Sequence, residues 1–322
     1  MNSLQIKYVL TVAGLKSISK AAKKLHVTQP SLSQYIQKIE NQLGFTIFDR
    51  SISPLKLTEE GEIFIDAAEK IHFLEDNMMN KISDIANLKT GNLKIGSSSF
   101  RASCLLSKSI SEFKKLYPGI KISILEDDIH NLMNSLSNCE IDLVISVEDV
   151  KDTLYHCEEL SEERLYIATP KSHDINNELK DYRLTYMDIK KKTIKFIKNK
   201  TPDLSCFFNI PLIAPTSGEY CEEYIYSIFK EKNISKKPDL TVKNIETAFS
   251  FTNSELGMSI IPDTLICFGN HFEHPYFYPI NSPLASRKIN IISKKNEYFS
   301  KAASQYCLIL KNLVAAGTWI IV

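Results

Sequence analysis

Apolar residues at Leu4, Tyr8, Val9, Val12 and Ala13 recur at helical spacing and predict a first amphipathic helix, closed at Gly14 and Leu15. A short second helix follows, capped by Ser17 or Ser19, with Ala21, Ala22 and Leu25 facing inward. The two alanines are small enough for another helix to cross closely. After His26 and Val27, "TQPS" reads as a helix start: Thr28 can cap free N–H groups, and Pro30 in the first turn loses no needed hydrogen bond. Leu32, Ile36, Ile39 and Leu43 then form one buried stripe, and Gly44 ends the helix. Helix, short turn and helix with a polar second member predict a helix-turn-helix. "FTIF" and "LKLT", separated by "SISP", predict a two-stranded wing after it. Glu62 to Lys89 predicts one long helix, with Phe64, Ala67, Ile71, Leu74, Met78, Ile82, Ile85 and Leu88 close to a heptad seam.

The periodicity changes after "KTG" at 89–91. "NLKIGSSS", "IKISILE" and "IDLVIS" predict three strands, separated by helices over Cys104–Leu116 and from Asp128 through Leu136. The alternation recurs with "TIKFI", "IPLIA", a helix from Glu219 to Phe229, "DLTV", a helix near Ile245 to Phe251, and "GMSIIP". "KINIIS" and a helix from Ser300 to Leu313 close the chain. Such alternation predicts an α/β region with a largely parallel sheet covered on both faces.

At 322 residues the chain is long enough for two or three domains, and 43% hydrophobic with 24% charged residues is a globular composition. The net charge of +1 says nothing about a partner, but its distribution does. Before Glu59 there are eight cations (Lys7, Lys16, Lys20, Lys23, Lys24, Lys38, Arg50, Lys56) against two acids, Glu40 and Asp49. A basic N-terminal module on a slightly acidic remainder points to nucleic acid. A recognition helix presents its N-terminal residues to base edges while neighbouring cations hold phosphates. Gln29, Ser31, Ser33 and Gln34 are the base-reading candidates, with Thr28 and Pro30 at the same helix end. Lys38, Lys20, Lys23 and Lys24 are placed for phosphates, and Arg50 and Lys56 on the wing for phosphate or the minor groove; a plain surface cation, or an ion pair with Asp49, is the structural alternative for Arg50.

The seven cysteines are scattered without a C-x-x-C pair, and the histidines lack H-x-x-x-H or H-E-x-x-H spacing, so no metal site is expected; Cys206 has no adjacent base to activate it. No apolar run approaches the roughly 18 residues of a membrane span, and no signal-peptide pattern opens the chain. A cytoplasmic protein with reduced thiols is the expectation.

The run "SISKAAKKLHVTQPSLSQYIQKIENQLGFTIFDR" and the "LKLTEEG" after it resemble the LysR-type transcriptional regulators, and "GNLKIG", "YPGIKISILE", "IDLVIS" and "ELGMSIIP" extend the likeness more loosely. One departure is Gln34, where such proteins usually carry arginine. The resemblance implies a winged helix-turn-helix over 1–61, a linker and dimerisation helix over 62–90, and a bilobal region resembling a type 2 periplasmic binding protein over 91–322. Its crossovers are expected near Leu165–Thr169 and Leu265–Phe268, giving subdomain I as 91–165 and 267–322 and subdomain II as 166–266. It further implies a dimer or tetramer on inverted-repeat promoter sites, contact with RNA polymerase, and a small-molecule co-inducer rather than a bound cofactor.

Ligands of open α/β sheets sit outside the C-terminal strand ends, between lobes. Ser97, Ser98, Ser99, Phe100 and Arg101 after the first strand, Asp128 after the second and Ser146 after the third are the effector candidates on one side. Thr201, Pro202 and Thr216 face them from the other lobe. Turn and capping chemistry is the alternative role for the serines, and an N-cap for Asp128. A transport solute-binding protein fits the second part of the chain but not the basic helix-turn-helix. An enzyme is disfavoured because G-x-S-x-G, a Walker loop and G-x-G-x-x-G are all missing.

Overall fold

The computed structural model describes residues 2–51, 54–85, 88, 90–148, 150, 153–190, 201–268, 275–295 and 297–315. Helices α1 (Ser3–Leu15), α2 (Ile18–Lys24) and α3 (Gln29–Leu43) pack around Val9, Val12, Ala21, Leu32 and Ile36, and Gly44 ends α3 at φ 80°. A short ribbon of β1 (Phe48–Asp49) and β2 (Lys56–Leu57) pairs Phe48 with Leu57 and Asp49 with Lys56. The wing is therefore present, and its tip at Ile52 and Ser53 lies outside the described residues.

Helix α4 runs Glu59–Ile85, shorter at its C-terminal end than the seam predicted. Thr58 starts it, its Oγ1 accepting from Gly61 N at 2.9 Å. Phe64, Ile65 and Ala68 bury into the helix-turn-helix core, whereas Ile71, Leu74, Met78 and Ile82 are exposed. Leu88 has left the helix at φ 58° and is buried in the core of the following domain. The side chain of Ile85 lies outside the described residues. On another flank α4 is tied to its own chain, through Lys94–Asp76 at 2.6 Å and Lys81 over the Tyr298 ring at 5.0 Å.

Two lobes follow. The first comprises β3 (Gly91–Ser97), α5 (Ser99–Arg101), a π-helical turn at Ala102–Leu106, α6 (Ser107–Leu116), β4 (Ile120–Glu126), α7 (Ile129–Ser137) and β5 (Leu143–Ser146). Strand β6 (Tyr155–Thr169) leads out of it. The second holds α8 (Ile175–Glu178), α9 (Tyr186–Lys190), β7 (Leu212–Pro215), α10 (Glu222–Lys230), β8 (Leu240–Val242), α11 (Ile245–Asn253), β9 (Met258–Pro262), α12 (Asp263–Phe268) and β10 (Tyr276–Pro279). The chain returns through β11 (Ser286–Lys294) and ends on α13 (Lys301–Ala315), which packs on the first lobe. The expected strand "TIKFI" falls outside the described residues.

The strand order is β4-β3-β5-β11-β6-β9-β7-β8, with β10 also on β6. Each lobe has a parallel trio, β4-β3-β5 and β9-β7-β8. Between them β6, β11 and β10 run antiparallel to their neighbours, so the sheet is mixed rather than largely parallel. Strand β6 serves both lobes: Tyr155–Arg164 pair with β11, and Leu165–Thr169 with β9 and β10. The chain thus passes from one lobe to the other inside one longer strand, at Arg164–Leu165. The second crossover, expected near Leu265–Phe268, is not found there. Leu265–Phe268 belong to α12, and Phe277, Tyr278 and Ala285 still pack in the second core, so that lobe extends to about 285 rather than 266. Among the described residues no helix is long and apolar enough to cross a membrane.

Candidate nucleic-acid interface and interlobe junction

Helix α2 starts on Ser17, whose side chain accepts from Lys20 N, and α3 starts on Thr28, whose Oγ1 accepts from Ser31 N at 3.3 Å. Leu32, Ile36 and Ile39 anchor α3 inward. That leaves Thr28, Gln29, Pro30, Ser31, Gln34 and Lys38 exposed along one side, with Ser33 half-buried beside them. Lys20, Lys23, Lys24 and Lys56 are exposed on flanking elements. Small residues at the α2–α3 crossing and a fixed helix start therefore hold amide and hydroxyl groups outward, in the form that can meet base edges.

Arg50 is neither a plain surface cation nor paired with Asp49, the two alternatives raised by the sequence. Its Nη2 donates to Glu40 Oε2 at 2.8 Å, while Glu40 Oε1 accepts from Ile47 N at 2.8 Å and Phe48 N at 3.2 Å. Asp49 instead accepts from the Ser51 hydroxyl at 2.6 Å and the Ser51 N–H at 2.9 Å. Those two hydrogen bonds, with Lys56 nearby, hold its carboxyl below the ordinary range.

Between the lobes the candidates take different parts. Ser97 is buried and donates to Ile145 O at 3.1 Å, so it ties β3 to β5 rather than facing a ligand. Ser98 caps α5, and Asp128 caps α7 by accepting from Asn131 N at 3.0 Å, as the capping alternative held. Ser99 and Thr216 are exposed, Thr201 is half-buried and Pro202 is buried. Phe100 packs edge-on against Tyr220 of the other lobe, with ring centroids 6.1 Å apart.

Arg101 overturns its expectation most plainly. Far from a free cation, its side chain is 0% exposed. Its Nη1 and Nη2 donate to Glu163 Oε2 and Oε1 at 3.1 and 2.7 Å, and its Nε donates to Glu219 Oε1 at 3.1 Å. Nη2 also donates to the Tyr220 hydroxyl at 2.8 Å and lies 2.9 Å from Glu219 Oε2, an ion pair without hydrogen-bond alignment. Tyr220 donates in turn to Glu163, and Thr264 Oγ1 donates to Glu163 Oε2 at 2.9 Å. Ser146 joins the edge of this set, its Oγ 3.4 Å from Glu219 Oε1. Arg287 donates to the Glu219 carbonyl at 2.6 Å and reaches Glu148 at 3.4 Å.

One cluster thus joins the first lobe (Arg101, Ser146), the crossover strand (Glu163) and the second lobe (Glu219, Tyr220, Thr264). Burial opposes charge on Arg101 and Glu163 alike, but their mutual attraction wins: the guanidinium is held firmly protonated and the Glu163 carboxyl below its ordinary range. Burial also pushes the Tyr220 hydroxyl up. Glu163, Glu219, Tyr220 and Thr264 went unnoticed in the sequence, where acids within a charged stretch or after a turn carry no signal of their own.

Burial pushes the Cys104 thiol up to about 11, which disfavours the reactive thiolate, and Cys206 is exposed. His271 and His274 lie outside the described residues.

Residues 4–62 match the model for bacterial regulatory helix-turn-helix proteins of the lysR family, and residues 86–313 match the LysR substrate binding domain. A probable RuBisCO transcriptional regulator of Chlorokybus atmophyticus is 25% identical over 95% of this chain and 93% of its own length. The HTH-type transcriptional regulator BsdA of Bacillus subtilis is 26% identical over 83% of this chain and 85% of its own. In three dimensions the chain is similar to CbnR, a LysR family transcriptional regulator also solved in complex with its target DNA, with TM-score 0.65 and 19% identity over 97% of this chain and 99% of that one. It is likewise similar to a full-length OxyR variant from Pseudomonas aeruginosa, with TM-score 0.65 and 20% identity over 99% and 96%. At these identities the structural likeness speaks for the fold.

Proposed function

The chain belongs to the LysR family of bacterial helix-turn-helix transcriptional regulators, and on that premise we propose that it reads promoter DNA through the N-terminal turns of α3 and is gated by a small molecule at the interlobe junction. The observation that carries the first part is the open side of α3, where Gln29, Ser31 and Gln34 stay exposed and Ser33 half-buried on a helix anchored by Leu32, Ile36 and Ile39. Gln can bond adenine N6 and N7 together, and Ser can donate or accept, while Lys20, Lys23, Lys24, Lys38 and Lys56 meet phosphates. A glutamine at position 34 turns the reading toward adenine rather than guanine.

Leu74, Met78 and Ile82 stay uncovered on α4 although another flank of the helix rests on its own chain. A second copy covering them pairs two DNA-binding domains and matches an inverted-repeat site. The effector shifts the population between two lobe arrangements by binding them unequally, and so alters DNA bending and contact with RNA polymerase. Ser99, Thr201 and Thr216 remain its candidate contacts, beside a junction already bridged by Arg101. No bound cofactor is part of this reading, and the protein works in the cytoplasm.

Gel-shift titration on DNA upstream of its own gene, at fixed salt, tests the DNA reading. Gln29→Ala or Ser33→Ala is expected to weaken specific binding by about 1–3 kcal/mol and to leave random DNA nearly unaffected. A wild-type protein with no preference for that DNA overturns this choice of target and the base-reading assignment with it.

A further inference from the structure

Glu40 is the only acid on α3 and is 5% exposed, toward the C-terminal end of the helix beyond the base-reading residues. Both of its oxygens are engaged with the wing. Oε1 takes the N–H groups of Ile47 and Phe48, where the chain enters β1, and Oε2 takes Arg50 Nη2 at 2.8 Å. A neutral acceptor would still take the two amide donors, though more weakly, but it could not pair with a cation. The negative charge is therefore matched to Arg50. That arginine is 37% exposed and lines an open groove of about 830 Å³ between α3 and the wing, alongside Gln37, Asn41 and Thr46. A ribbon with two residues in each strand cannot by itself fix so long a side chain. One guanidinium nitrogen is held by Glu40 while the side chain keeps part of its surface exposed, and the further donors of the planar fork suit a phosphate oxygen.

We propose that Glu40 is a positioning residue for DNA binding: its carboxylate fixes the wing to the recognition helix and holds the Arg50 guanidinium at the angle needed to meet a DNA phosphate. The inference rests on the reading of α3 and the wing as the DNA-binding surface. Glu40 touches no nucleotide. It sets the register between base readout by α3 and backbone contact by the wing, two functions that must be satisfied on the same duplex.

The test compares the full-length wild type with Glu40→Gln, Arg50→Ala and the double variant, measuring affinity for the specific DNA over a range of salt concentrations. Glu40→Gln keeps an oxygen for the Ile47 and Phe48 amides and removes the charge that aims Arg50, so its melting temperature is expected to stay within a few degrees of wild type. Arg50→Ala is expected to weaken binding about tenfold on any sequence and to lower the slope of log affinity against log salt by about one. Glu40→Gln reproduces much of that loss and slope change although Arg50 is still present, and the double variant loses little more than Arg50→Ala. A purely structural Glu40 moves stability but not the salt slope. Wild-type affinity and slope in Glu40→Gln, losses that simply add in the double variant, or an unchanged slope in Arg50→Ala would each overturn the proposal. Gln29→Ala, assayed in parallel, separates the two levels. If it loses specific binding while the Glu40 and Arg50 variants do not, only this inference fails; if wild type itself shows no preference, the DNA reading fails first.

Discussion

The recognition helix and the interlobe junction handle polar groups in opposite ways. At the start of α3 the polar side chains of Gln29, Ser31 and Gln34 stay exposed, so that the partner supplies what completes them. At the junction the chain completes itself: Arg101 finds two carboxylates and a phenol, and Glu163 gathers a guanidinium and two hydroxyls. An exposed polar face costs little to keep in water, whereas a buried charge requires partners with good geometry. The open face is therefore ready for its ligand. The closed junction is a structural joint that any effector has to work beside or against.

The largest expected effect comes from breaking that joint. Arg101→Met removes the cation and strands Glu163 at 1% exposure, which should destabilise the two-lobed domain by about 3–5 kcal/mol. Hydrogen exchange is expected to accelerate in β3 and β6 and to stay unchanged in α3; unchanged protection in both would mean the cluster bears no stability. The same cluster fixes a pH direction. Because Glu163 has its carboxyl held low in the fold, its contribution is present at neutral pH and lost as pH falls through that lowered value.

A smaller and opposite dependence belongs to Asp142. Burial, aided by Asp76 and opposed by Lys94, pushes its carboxyl up to about 6. The native state then keeps a proton that the unfolded chain releases near the ordinary aspartate value of about 3.9, so this group lowers stability as pH rises between those values. Asp142→Asn should remove that fall and leave the variant more stable at neutral pH by roughly 2 kcal/mol, seen as converging melting temperatures toward pH 4. A gap that does not narrow on acidification would contradict the assignment.

The smallest change probes the other region. A Cβ at Gly61 would collide with the Ile47 carbonyl, where the first turn of α4 passes under the wing. Gly61→Ala should cost about 1–3 kcal/mol in the DNA-binding domain alone. Loss of DNA affinity with unaltered exchange protection in the lobes is the expected pattern, and equal loosening of both regions would show that the two do not respond independently.

These contrasts explain which parts were legible in the sequence. The three N-terminal helices could be read because capping residues and apolar spacing lie within a few positions of one another: Thr28 and Pro30 start α3 where the pattern says, and Leu32, Ile36 and Ile39 point inward. Most strands of the two lobes were equally plain as short apolar runs. Strand β6 was not. Its first ten residues, "YHCEELSEER", carry little apolar alternation and become a strand only because β11 supplies a ladder for them. The end of the second lobe was misplaced for a related reason: Tyr276–Pro279 could continue either lobe, and pairing with β6 decides.

The same division runs through the candidate sites. Local chemistry determined that the chain begins with a basic helix-turn-helix and wing and continues as a two-lobed α/β domain, because helix caps, apolar periods and charge asymmetry act over short stretches of chain. Tertiary structure alone decided where the charges go. Arg101 meets Glu163 and Glu219, 62 and 118 residues away, and the closer Arg50–Glu40 pair still depends on how the wing folds back onto α3. A side chain's charge is written in the sequence, but whether it faces a ligand or another side chain depends on distances that exist only once the chain has packed.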